Sequence, residues 1–107
     1  MSDLAALLAR APADQLVCVF HASLLTYVDR QRAGELFAGV RHAMAKRPLA
    51  WIYLEAAGLL QGEHAPAALT DAHRADRDTY VLGVVTATQD AVLARVATYG
   101  ESISWLR

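Results

Sequence analysis

Residues Leu16–Tyr27, LVCVFHASLLTY, begin as an unbroken apolar run that ends at a histidine. The run shows no alternation of apolar and polar residues. A strand covered on both faces reads this way, typically in a parallel sheet. The same pattern returns in Leu49–Glu55, LAWIYLE, where a continuous apolar run again closes on one ionisable residue. Between them Asp29 can cap a helix in which Ala33, Leu36, Phe37, Val40 and Met44 share one stripe, while Arg32, Glu35, Arg41, His42 and Lys46 face away. Lys46 and Arg47 suit its negative C-terminal end, and Pro48 stops it. Strand, helix and strand in about 40 residues form a right-handed crossover unit, so the two runs are parallel neighbours or near neighbours.

The flanks complete the architecture. At the N-terminus Ser2 is a natural cap, Leu4, Leu7, Leu8 and Ala11 recur at helical spacing, and Pro12 follows; this reads as a short amphipathic helix, not a signal peptide. Ala56–Asp78 is a solvated connection with a short helix expected near Ala65 to His73. Thr79–Thr86 is rich in β-branched and aromatic residues, Gln89 and Asp90 make a turn, and Ala91–Thr98 alternates loosely. A hairpin follows from this, with Gly100 as a bulge or kink before the closing SISWL. The expected fold class is α/β: an N-terminal helix, a βαβ unit with parallel strands, then an antiparallel β-hairpin, in a single domain or half-domain spanning 1–107.

Composition narrows the function classes. The 10 basic and 11 acidic residues leave a net charge of −1 and are spread along the chain, so no phosphate-binding stripe forms and a nucleic-acid partner is not expected. No apolar stretch reaches the roughly 18 residues of a membrane span, so no membrane partner is expected either. The single cysteine, Cys18, lies in the first apolar run, is expected to be buried, and fits a reducing cytoplasm. The hydrophobic fraction of 55% is high for a soluble domain. Either alanine-rich packing accounts for it, or a partner or further polypeptide covers some apolar surface.

Candidate chemistry sits at the strand ends. His21 and Glu55 each close a parallel strand, Tyr27 follows on the loop into the second helix, and in open α/β sheets ligands sit outside the carboxyl ends of the strands. In a functional reading His21 is a general base or hydrogen-bond donor, Glu55 orients it or binds a ligand, and Tyr27 is a hydrogen-bond partner. In the plainer reading His21 and Glu55 are end-of-strand residues that bond loop backbone. His21, His42, His64 and His73 show no pair at ligand spacing, so no metal is expected. Ser23 lacks the flanking glycines of a nucleophile elbow. His21-Ala22-Ser23 also stands where a nucleotide cradle needs glycine, so no cofactor fingerprint is evident. Trp51 and Trp105 read as core or interface aromatics.

Three segments in this order, His21 to Tyr27 (H-x5-Y), Trp51 to Glu55 (W-x3-E) and Gly100 to Leu106, resemble the C-terminal half of a bacterial family, domain-of-unknown-function family 2332. The resemblance covers the chain from Leu16 onward. Ala22 stands where that family usually has serine, and Tyr99 where it usually has histidine, and both departures remove polar groups from the suspected site. The element order is also similar to the second half of a Rossmann-like methyltransferase. That resemblance implies S-adenosylmethionine as a cofactor by analogy only, with the loops that would hold it in a first half this chain lacks. It further implies that the strand holding Leu16 to Phe20 is interior in the parent architecture, so a homo-oligomer or a larger polypeptide is expected to cover that edge. The corresponding reading is a methyltransferase-like half-domain without catalysis of its own. The alternatives are a transferase site completed in trans and a module that binds a small ligand.

Overall fold

The computed structural model describes residues 2–70, 73–74, 79–97 and 103–105. Helix α1 (Ser2–Arg10) leads into strand β1 (Val17–Ala22), helix α2 (Arg30–Met44) and strand β2 (Leu49–Ala56). Three strands follow: β3 (Thr79–Val85), β4 (Asp90–Ala97) and β5 (Ile103–Trp105). They form one sheet in the order β1-β2-β3-β4-β5. β1 and β2 are parallel, and the remaining pairs are antiparallel. This is the α/β layout expected from the two apolar runs and the hairpin, with β5 adding a third antiparallel strand.

Sequence explains each boundary. The Asp29 side chain accepts the Arg32 N–H at 2.8 Å and caps α2, whose stripe of Ala33, Leu36, Phe37 and Val40 is buried. Arg47 does more than suit the end of its own helix. Its guanidinium donates to the carbonyls of Leu8, Ala11, Pro12 and Gln15, so one side chain ties the end of α1 and the approach to β1 onto the α2–β2 corner. The short helix expected near Ala65 to His73 does not form over Ala65–Thr70, which runs as turns and irregular chain, while His73 and Arg74 are helical. The Asp90 carboxylate holds that stretch by accepting the Ala67 and Ala68 N–H groups at 2.7 and 3.1 Å. The kink expected at Gly100 lies outside the described residues. An irregularity does occur opposite Leu82 and Gly83, where Leu93 is the extra residue on β4.

The two sheet faces differ sharply. Strand periodicity puts Val19 and His21, then Leu49, Trp51, Tyr53 and Glu55, then Val81 and Val85 on one face. That face, with α2 and the loop leucines Leu60 and Leu69, makes the core, and Leu4 and Leu8 of α1 pack on it. The opposite face carries Phe20, Ile52, Leu54, Leu82 and Val84, and neither α-helix lies on it. Phe20 is 59% exposed and Cys18 is exposed, which corrects the expectation that the β1 run is covered on both faces and its cysteine buried.

Tyr53 and Gly83 are direct cross-strand partners, and the tyrosine ring lies over the glycine. A Cβ built on Gly83 would fall 2.0 Å from the Tyr53 hydroxyl oxygen and 2.1 Å from Cζ. The hydroxyl is fully enclosed and has no hydrogen-bond partner among the described residues. Burial, reinforced by the Asp90 charge and opposed by Arg74, pushes its pKa well above the usual tyrosine range. We expect Gly83→Ala to cost about 2–3 kcal/mol in urea unfolding, as overpacking does. Tyr53→Phe should leave stability unchanged or raise it by up to about 1 kcal/mol, because it removes an unsatisfied hydroxyl. The raised pKa has a sign. Above about pH 10 the unfolded chain loses the Tyr53 proton while the folded chain keeps it, so stability falls with rising pH, and that component should vanish in Tyr53→Phe.

Candidate functional site

The carboxyl ends of β1 and β2 meet at a buried polar cluster. In the parallel register His21 stands beside Tyr53, so Glu55 lies two residues further along the same face. The His21 Nδ1 is 2.6 Å from Glu55 Oε2, and Glu55 is 0% exposed against 7% for the histidine. The backbone N–H groups of Leu24 and Leu25 also donate to the carboxylate, at 3.0 Å to Oε2 and 3.3 Å to Oε1. Trp51, four residues before Glu55 on the same face, donates its indole N–H to His21 Nε2 at 2.9 Å.

This pattern assigns the histidine tautomer. Indole nitrogen can only donate, so Nε2 accepts, and the imidazole proton sits on Nδ1 and points at the carboxylate. Both ring nitrogens are therefore committed, and in this arrangement neither is open to take a proton from a substrate. Trp51 is held in turn. Phe37 and Tyr53 pack against its ring at centroid distances of 5.5 and 6.0 Å, and the Arg41 guanidinium lies 5.7 Å above it. Arg41 also donates to the His64 and Ala65 carbonyls, at 2.8 and 2.9 Å, which brings that loop over the sheet.

The turn after β1 is shaped for the carboxylate. Ser23 has φ of 56°, in the left-handed region that a β-carbon disfavours. Its N–H continues the β1–β2 ladder to the Leu54 carbonyl, and its hydroxyl lies 3.4 Å from that of Tyr80. The reversal at Ser23 turns the next two N–H groups inward. Successive N–H groups of this kind form an anion-binding concavity, and its resident anion is the chain's own Glu55.

The structure thus brings His21 and Glu55 into one cluster. Tyr27 does not join it: the residue is 84% exposed, in a 3-10 turn at Leu25–Tyr27, and its side chain makes no hydrogen bond to either partner. Trp51 is the member that reading by residue type left among the core aromatics. Its spacing of four from Glu55 along a strand was the available signal, because an even spacing keeps two residues on one face. The crevice beyond the strand ends holds a cavity of about 400 Å³ lined by Ala56, Gly58, Leu59, Gln61 and Arg74. No cluster of three metal-ligating side chains occurs among the described residues.

Comparison with protein families finds one whose model matches residues 1–105, described as an uncharacterized protein conserved in bacteria (DUF2332). Neither the curated proteins nor the solved structures contain a match.

Removing the resident anion should expose its role. Glu55→Ala leaves the His21 Nδ1–H and two backbone N–H groups buried without acceptors, and we expect thermal or urea unfolding to show a loss of about 3 kcal/mol or more. Sodium formate should recover part of that loss, and sodium chloride at equal ionic strength should not. Trp51→Phe removes the donor to Nε2 and also one ring of a fully buried indole, and should cost about 2–3 kcal/mol.

Proposed function

The chain belongs to this bacterial family, and from that premise we propose that it is a methyltransferase-like half-domain that acts as an assembly unit, docking through the free edge of β1, without catalysis of its own. The observation that carries the reading is the condition of β1. The strand is at the end of the sheet order and carries Cys18 and Phe20 exposed on its outer face.

The hydrogen bonds supply the backbone half of the argument. Val17 N–H donates to the Pro48 carbonyl and Ser23 N–H to that of Leu54, so by strand alternation the N–H groups of Cys18, Phe20 and Ala22 point to the open side. Soluble proteins blunt such an edge with lysine, proline, a bulge or a covering element. VCVFHA contains neither lysine nor proline. A strand with apolar residues on both faces and an unprotected row of donors is a template for another strand, from a second copy or from a larger polypeptide.

The strand-end cluster supports the absence of independent catalysis. The groups that would act as base and orienting acid satisfy each other, with Trp51 closing the remaining nitrogen. The methyltransferase-like description rests on element order alone, and fold does not fix chemistry. An S-adenosylmethionine-dependent site completed in trans would require Trp51 to release Nε2, and a small-ligand module would use the crevice beyond the strand ends.

Sedimentation velocity across a concentration series tests the docking reading. Self-association, or retention in a larger complex when purified from its own cells, is expected. Cys18→Pro removes an outward N–H at a position where edge strands tolerate proline, and it should weaken the association while leaving the far-ultraviolet circular dichroism unchanged. A clean monomer at high concentration, with no larger complex in cells, contradicts the reading. Calorimetric titration with S-adenosylmethionine should give no heat; saturable binding would favour the transferase alternative.

A further inference from the structure

A second cavity, of about 410 Å³, lies between α1 and α2 and shares no residue with the crevice beyond the strand ends. Small side chains leave the space. Packed helices lie about 8–10 Å apart with side chains filling the gap between them. In this gap Ala9, Gly39 and Ala43 contribute little volume, and a Cβ added to Gly39 would meet only the Leu4 Cδ2, at an ordinary 3.8 Å. Leu4 and Leu8 supply the wall from α1.

Charge is placed unevenly around this apolar floor. From Glu35 to Ala43 α2 rises about 12 Å. Glu35 stands at one end, where its carboxylate accepts the Gln31 side-chain amide at 3.4 Å. His42, Lys46 and Arg47 line the other end. The Lys46 ammonium and the His42 ring make no hydrogen bond or ion pair among the described residues. The Arg47 guanidinium bonds only to neutral carbonyls and its buried Nε has no partner among the described residues, so no acid compensates its charge. The Arg41 and Ala43 carbonyls at this end of α2 already accept the N–H groups of residues 45–47, which leaves the lysine for a ligand.

We propose that the cavity between α1 and α2 binds a medium-chain monocarboxylate, its head at Lys46 and His42 and its alkyl chain along Leu4, Leu8 and Ala43. Small-molecule sites enclose about 300–1,000 Å³ and are mostly apolar with a few polar groups that fix orientation, and this cavity matches in both respects. A second carboxylate on the chain would meet Glu35, and a cationic head would meet Lys46, so the charge pattern selects one anion at one end. The site goes beyond the docking reading and does not depend on it.

Titration of the nitrogen-labelled chain with hexanoate, octanoate and octyltrimethylammonium, followed by amide shifts and by calorimetry, tests the site. Octanoate is expected to bind saturably, with shifts centred on Leu8, Gly39 and Ala43, and with a Kd about 15-fold below that of hexanoate, the gain for two buried CH₂ groups. Octyltrimethylammonium should bind about tenfold more weakly than octanoate or worse. Lys46→Gln should weaken octanoate about fivefold and leave octanol unchanged. Gly39→Leu fills the cavity and should abolish binding with the far-ultraviolet circular dichroism kept, and Ala43→Leu fills it from the next turn. An absence of saturable binding, shifts centred away from α1 and α2, or octanoate binding that survives both filling variants overturns the inference. Shifts at the same residues that grow with protein concentration alone assign the groove to a second copy and overturn it too. None of these outcomes bears on the β1 edge.

Discussion

The Glu55 carboxylate lies in the interior, held by three N–H donors, two from the backbone of the turn after β1 and one from His21. An ion in that position is tolerated only when its hydrogen bonds are complete. The conditions for completing them reach through the fold. β1 and β2 must be parallel and in register so that His21 lies beside the carboxylate, and the chain must reverse at Ser23 with positive φ so that Leu24 and Leu25 can donate. Trp51 then fixes the histidine ring from its other side, while Phe37 and Arg41 of α2 fix Trp51. The polar cluster and the apolar core are one construction.

That construction leaves both ring nitrogens of His21 engaged. A histidine paired with a buried carboxylate is half of a familiar catalytic arrangement, in which the far nitrogen faces the substrate. Here the far nitrogen faces an indole N–H. Each member is satisfied, and the network specifies the geometry of the strand ends.

Much of this was legible in the sequence. Two continuous apolar runs flanking a capped, striped stretch imply parallel β1 and β2 with α2 between them, and the β-branched segments after Thr79 imply the hairpin. The placement of His21 and Glu55 at the two strand ends followed from the same reading. Other features were hidden for physical reasons. An unbroken run such as VCVF does not record which of its two faces the rest of the chain packs against, so Phe20 and Cys18 read as buried and stand exposed. The left-handed turn at Ser23 carries no glycine to announce it. The Trp51 bond to His21 depends on register between strands 30 residues apart in sequence, as does the fit of Tyr53 over Gly83.

His21 is closed on both sides, by Glu55 and by Trp51. Long-range proton–nitrogen correlation spectra of the uniformly labelled chain read the imidazole directly. The expected result is a single tautomer with its proton on Nδ1, slow to exchange and shifted strongly downfield by the short bond to the carboxylate, and Nε2 as an acceptor. An Nε2–H tautomer, or a ring in rapid exchange with water, would contradict it.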